Sequence, residues 1–172
     1  AVSSNEGSDD TGIGAAALGR DGQVYVLEDA TVQMASPHEW GAAVVACFDK
    51  FGADRVVAER NQGGDLVESN LRAQRPYLPI TTVHARKGKA LRAEPVASLY
   101  EQGKVHHVGV LHKLEDEMCD WNPELPNQKS PNRIDWLVYA ITELLPEIAL
   151  PIPSPPPRPL IVESFDEQSL GF

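Results

Sequence analysis

Two carboxylates in this sequence stand where carboxylates can do chemistry. Glu59 closes the apolar run Val56-Val57-Ala58 and is followed by Gly63-Gly64 and Asp65. It is therefore expected at the C-terminal end of a buried strand, where an α/β sheet opens its crevice, with the glycine pair turning into a helix. Asp135 stands in the first turns of the last helical pattern, whose apolar positions Ile134, Leu137, Val138, Ile141, Leu144 and Leu145 recur at period 3.6. It lies on the flank of that stripe, able to face the edge of a sheet. Acids at these two places suit phosphodiester hydrolysis, in which carboxylates hold two divalent ions about 4 Å apart, one activating water and the other stabilising the leaving oxygen. Magnesium accepts such oxygen ligands and keeps several waters, so few protein groups are needed. The plainer alternative for Glu59 is a surface ion pair or a cap on a neighbouring amide, and at this point both readings stand.

Other residues invite weaker readings. Arg86, Lys87, Lys89 and Arg92 are the concentrated positive charge of the chain. They are either a solvated face or the groups that hold a phosphate backbone beside an acidic pocket without reading its sequence. His106 and His107 are adjacent in a strand pattern, so at most one can face a site, and a structural role is preferred. His84 and Lys87 follow a strand end with nothing to fix their direction. Asp65 has Glu68 at the spacing of a capping box and reads as a helix cap. Glu115, Asp116 and Glu117 read as a solvated acidic face.

The elements that must position the two acids follow from local pattern. Residues 1 to 12 are polar and glycine-containing, which reads as a loop, so the chain is expected to begin in the middle of the fold. Ile13 to Leu18, the turn Asp21-Gly22 and Gln23 to Leu27 read as an antiparallel pair. Ser36-Pro37-His38-Glu39 is a helix start in which the Ser cap, Pro at the first position and Glu three after the cap satisfy orphan amides. Trp40, Ala43, Val44, Cys47, Phe48 and Phe51 continue it to Gly52. The strand carrying Glu59 comes next, then a helix from Asp65 to about Ala73 and a strand at Thr81 to His84. A helix from Lys89 to Gln102, bent at Pro95, leads to a last strand at Val105 to Val108. Residues 111 to 121 read as helical, 122 to 128 as a loop, and Ser130-Pro131 as the start of the final helix. Six of the ten residues from Pro151 to Leu160 are proline. The expected division is a domain over residues 1–150 and an extended tail over 151–172.

At 172 residues and 42% hydrophobic content the chain can bury one core. No run approaches the roughly 18 apolar residues of a membrane span, so no membrane is expected as a partner and a cytosolic setting is. Cys47 and Cys119 lack the partner spacing of a zinc site or a disulfide framework, and Cys47 reads as core. A net charge of -10 argues against binding nucleic acid through overall charge, while acids gathered for divalent ions would themselves push the balance negative.

Four stretches carry a resemblance to a known family: Asp-Asp-Thr-Gly-Ile at 9–13, Val-Val-Ala-Glu-Arg-Asn-Gln-Gly-Gly-Asp-Leu-Val at 56–67, Arg-Ala-Glu-Pro-Val-Ala-Ser-Leu-Tyr-Glu-Gln-Gly-Lys-Val-His-His-Val-Gly at 92–109, and Ser-Pro-Asn-Arg-Ile-Asp-Trp-Leu-Val-Tyr-Ala-Ile-Thr-Glu-Leu at 130–144. In this order they resemble the C-terminal nuclease domain of the large terminase subunit of tailed bacteriophages. The resemblance implies an α/β, ribonuclease H-like mixed sheet flanked by helices, and a domain that cuts concatemeric double-stranded DNA during genome packaging with two Mg2+ or Mn2+ ions. It makes Glu59 the central ligand, Asp135 the ligand from the last helix, and Asp10 a contributor to the second ion, with Asp9 a lesser candidate. The implied partners are double-stranded DNA and, in the full motor, the portal protein, the small terminase subunit and the procapsid, in the host cytoplasm during virus assembly. The motif Gly-x-x-x-x-Gly-Lys-Ser/Thr is absent, so the packaging ATPase is not in this chain.

Three departures from that pattern set further expectations. The family's first catalytic aspartate closes a strand just upstream of the loop at residue 1, and residues 1–8 contain no aspartate. The first strand is thus expected to be missing or truncated and the site incomplete. Asn132 stands where the family often has an acid and offers only a carbonyl oxygen as a weak ligand. Trp136 replaces a small residue and points away from the apolar stripe, toward the tail or a partner. Two alternatives remain open: a non-catalytic module binding DNA or the portal, and a junction-resolving or transposase-type nuclease of the same fold.

Overall fold

A computed structural model describes residues 2–4, 10–60, 65–84, 88–125 and 131–149. Asp9, Gly63-Gly64, Arg86, Lys87, Ser130 and the tail 151–172 lie outside the described residues. The elements run β1 (Val2–Ser4), β2 (Asp10–Leu18), β3 (Val24–Asp29), β4 (Val32–Gln33), α1 (Pro37–Phe51), β5 (Val56–Glu59) and α2 (Asp65–Gln74). They continue with β6 (Ile80–Val83), α3 (Lys89–Glu101), β7 (Val105–His107), α4 (His112–Asp120), α5 (Asn132–Leu144) and a 3-10 turn at Pro146–Ala149.

Local chemistry accounts for the boundaries that matter. Gly22 takes φ 77° in the hairpin between β2 and β3, and Asp21 accepts hydrogen bonds from the Gln23 amide (3.1 Å) and the Tyr25 hydroxyl (2.8 Å). Ser36 and Glu39 form the expected capping box on α1, and Gly52 ends the helix at φ 56°. All four residues of β5 are buried, as a strand covered on both faces requires.

The strand order is β6-β5-β1-β2-β3-β7, with β4 paired to β2. The β1–β2 and β2–β3 pairs are antiparallel, and β1–β5, β5–β6 and β3–β7 are parallel. Helices α3, α4 and α5 contribute Val96, Leu99, Leu114, Trp136, Leu137 and Ile141 to one core cluster with Val24 and Val26. Val44 of α1 and Leu71 of α2 pack with Ile13 and Val56 in a second. None of the helices among the described residues is long and apolar enough to cross a membrane.

Several expectations are corrected. Residues 1–12 are not a loop throughout: Val2–Ser4 is a three-residue strand between β2 and β5, and Asp10–Gly12 extend β2. The first strand, expected to be missing or truncated, is present and only three residues long. Its polar side chains hide it in sequence, because a central strand is specified by the backbone groups its two neighbours must satisfy. The two-residue β4 was not anticipated. Trp136 does not point outward. It is fully buried in the first cluster, because every residue from Asn132 to Ile141 is buried, and a helix covered all round has no polar face to avoid.

Candidate active site

The first acid owes its place to β5, whose last residue is Glu59, 8% exposed. Strands β1 and β5 are parallel and β2 is antiparallel to β1, so the start of β2 and the end of β5 lie at one end of the sheet. Asp10, the first residue of β2, is buried there at 5% exposure, opposite Gln33. The second acid comes from α5, which packs against β1, β2, β3 and β5. Asp135 is 3% exposed, and Asn132, 1% exposed, precedes it by one turn.

Side-chain contacts join the two acids. Tyr139, one turn after Asp135 on α5, donates its hydroxyl proton to Glu59 Oε1 at 2.6 Å. The guanidinium of Arg92 lies 4.7 Å from the centre of the Tyr139 ring, and its Nη2 is 3.5 Å from Asp135 Oδ1. The Lys89 ammonium pairs with Asp135 Oδ2. Glu59, Tyr139, Arg92 and Asp135 thus form one connected polar chain, fed by β5, α5 and the first turn of α3. Arg92 Nε and Nη1 are buried without a hydrogen-bond partner among the described residues, so this guanidinium is held largely by the ring beneath it and by charge.

Burial first, then the bond to Glu59 and the Glu59 charge, push the Tyr139 hydroxyl well above its ordinary value of 10.0. Tyr139 therefore remains a proton donor to the carboxylate at neutral pH. Because the folded value is raised, the stabilisation is complete below 10.0 and is lost as pH climbs beyond it. Tyr139→Phe is expected to lower stability by about 1.5–3 kcal/mol at neutral pH, the range for a hydrogen bond to a charged group. The gap to the unsubstituted protein should narrow in strongly alkaline solution. Urea unfolding midpoints on either side of the tyrosine's ordinary 10.0 check both statements.

A second buried charge group orients the helix that bears Asp135. Pro131 at the start of α5 offers no side-chain cap. Glu117 of α4 fills that role by accepting from the amides of Arg133 (2.7 Å) and Ile134 (2.9 Å). Arg133 also donates from Nε to Asp29 Oδ2 at 2.8 Å. The solvated acidic face expected over Glu115–Glu117 holds at Asp116, which is exposed, and is corrected at its neighbours: Glu117 caps α5, and Glu115 accepts from His107 (2.9 Å) and from the Leu111 amide (3.1 Å). Its hydrogen bond from His107 is the largest influence lowering the Glu115 carboxyl below its usual range. His106 bonds Gln23 and stacks on Tyr25, and His107 also meets the Tyr100 hydroxyl at 2.8 Å, so both rings serve the fold.

Lys89 and Arg92 lie on Asp135 rather than on an open basic face, with side chains 30% and 14% exposed. Tyr139, Arg133 and Glu117 were not anticipated as site-forming residues. The position of Tyr139 four residues after Asp135, hence on the same face of the helix, was a usable signal. The donors Glu59 and Asp135 are hard oxygens, suited to magnesium or manganese. Among the described residues no group of three or more His, Cys, Asp or Glu side chains is arranged to hold a metal ion. The carboxylate oxygens of Glu59 and Asp135 are of the chemical kind that a divalent ion takes. A cavity of about 340 Å³ between α1, β2 and α5, lined by residues such as Cys47, Phe48 and Leu144, includes neither acid.

Two solved structures are similar over most of their length. The large terminase nuclease from the thermophilic phage G20c matches with a TM-score of 0.55 and 16% sequence identity, over 83% of this chain and 78% of that one. The yeast mitochondrial Holliday junction resolvase Ydc2 matches with a TM-score of 0.55 and 13% identity, over 80% of this chain and 75% of that one. These likenesses establish the fold. Residues 2–144 match the family described as the Terminase RNaseH-like domain, and the chain belongs to that family. No curated protein matches it.

Proposed function

We propose that this chain is a metal-dependent endonuclease domain that cuts concatemeric double-stranded DNA with little sequence preference during viral genome packaging. The observation that carries the reading is the connected chain Glu59–Tyr139–Arg92–Asp135, with both acids buried, at one end of a ribonuclease H-like sheet. Glu59 and Asp135 would hold Mg2+ or Mn2+, with Asp10 and the carbonyl oxygen of Asn132 as further donors. When bound, such ions supply Lewis acidity at the scissile phosphate and lower the pKa of water. The chain's own residues do the rest. Tyr139 orients Glu59 by donating to one of its oxygens, Arg92 holds positive charge beside Asp135, and Lys89 with Arg86 and Lys87 offers charge to the phosphate backbone. In the assembled motor, within the host cytoplasm, the partners would be the portal, the small subunit and the procapsid.

The likeness to a Holliday junction resolvase favours one competing reading, a junction-directed nuclease. Incubation with supercoiled plasmid, linear duplex and a synthetic four-way junction, with Mn2+ or with EDTA, separates the two. The packaging reading expects ion-dependent nicking and linearisation of plasmid and no preference for the junction. Cleavage confined to the junction would favour the competitor, and absence of cleavage on all substrates with Mn2+ would leave a DNA- or portal-binding module.

A further inference from the structure

We infer that Lys89 is a built-in counter-ion of the site: it occupies Asp135 when no divalent ion is bound, and must leave Asp135 for an ion to bind there. The inference rests on the divalent-ion reading given above. Glu59 and Asp135 bring two negative charges to the connected chain, and Lys89 and Arg92 bring two positive ones. Asp135 therefore already faces two positive groups without a metal. A divalent cation entering beside these side chains meets two fixed positive charges in a partly desolvated place, where charge repulsion is strong. One of the two must withdraw.

The geometry points to Lys89 as the one that moves. Arg92 is 14% exposed, lies on the Tyr139 ring and has its Nε and Nη1 buried, so moving it would dismantle the stack that links the acids. Lys89 is 30% exposed and carries its charge on a flexible four-carbon stem. It is also the first residue of α3, whose Gly88 cap makes no side-chain hydrogen bond. A cation at a helix N-terminus is disfavoured by the helix dipole, and the pairing with Asp135 offsets that cost. An ion that takes Asp135 removes that compensation, which favours withdrawal of the ammonium from Asp135. The released ammonium still sits at the rim of the site, within the positive field that a phosphate would enter. Lys89 thus exchanges one anion for another: a carboxylate in the empty site and a phosphate oxygen in the loaded one.

The test is calorimetric titration of MnCl2 into the metal-stripped full chain, in parallel with circular dichroism to verify folding. Lys89→Gln is expected to bind Mn2+ about tenfold more tightly than the unsubstituted protein, because a competing positive charge has gone. Lys89→Arg, whose forked guanidinium grips a carboxylate with two donors, is expected to bind it about threefold more weakly. Lys113→Gln, which removes an exposed charge on α4, should change nothing. Glu59→Gln should weaken binding with or without Lys89. Unchanged or weaker affinity in Lys89→Gln, or unchanged or tighter affinity in Lys89→Arg, while Glu59→Gln still weakens binding, would overturn the counter-ion role and leave the nuclease reading standing. Indifference of Mn2+ binding to Glu59→Gln would remove the ion site and both readings together.

Discussion

Asp135→Asn and Glu59→Gln are each expected to reduce Mn2+-dependent plasmid nicking by about 10²- to 10³-fold, the range seen when one preorganised transition-state-stabilising group is lost. Glu59→Gln keeps an oxygen to accept from Tyr139, so that protein should remain folded; Asp135→Asn keeps shape but removes the charge that Lys89 and Arg92 share. Asp135→Ala should behave differently. It leaves Lys89 and Arg92 facing each other across a site whose carboxylate was 4% exposed. Removing one partner of a buried pair costs about 3–5 kcal/mol, and the partial exposure of Lys89 argues for the lower end. The alanine variant should therefore lose activity and melt earliest, the asparagine variant should lose activity and melt earlier by less because one acceptor oxygen remains, and Glu59→Gln should lose activity with the smallest change in melting. Nicking rates and thermal unfolding measured on the same preparations decide the matter. Full activity in both conservative variants would remove the two acids from the mechanism.

Trp136→Ala is expected to cost about 3–5 kcal/mol, the range for truncating a large aromatic in a core. The side chain is fully buried where α5 crosses β2, and the indole lies over Gly14. A methyl group added at Gly14 would stand 2.3 Å from the indole ring, a separation neither atom can tolerate. Gly14→Ala should therefore destabilise by about 1–3 kcal/mol through overpacking. The two positions are coupled. In a Trp136→Leu background the added methyl finds space, and its cost should fall, which a double-mutant cycle from urea unfolding measures directly. Equal costs in the two backgrounds would mean that the indole does not sit where Gly14 receives it. Because Asp135 is the neighbour of Trp136 in the first turn and a half of α5, loosening this contact should also disturb the site, and nicking should fall with stability.

Much of this architecture was legible from local pattern. The capping box at Ser36 and Glu39, the hairpin at Asp21-Gly22, the buried run ending on Glu59 and the apolar period of α5 each depend on residues within a few positions of one another. Asp135 was traceable because it stands in the first turn of a strongly periodic helix. The three-residue β1 was not legible, since Val-Ser-Ser carries no strand pattern and its pairing with β2 and β5 is a property of the assembled sheet. Trp136 was misread because a wheel assumes one wet face, and α5 has none between Asn132 and Ile141.

The amino-acid sequence by itself determined which residues would form helices and strands, which two acids would end their elements, and the family to which the chain belongs, because periodicity, caps and motifs are short-range. Only the tertiary structure decided what those acids touch. Tyr139 on Glu59, Lys89 and Arg92 on Asp135, and Glu117 under the amides of α5 join positions separated by 80, 46, 43 and 16 residues. The direction of a long charged side chain is set by the electrostatics of whatever the fold brings beside it. A run of basic residues therefore reads in sequence as an outward face, and the fold turns Lys89 and Arg92 toward a buried carboxylate.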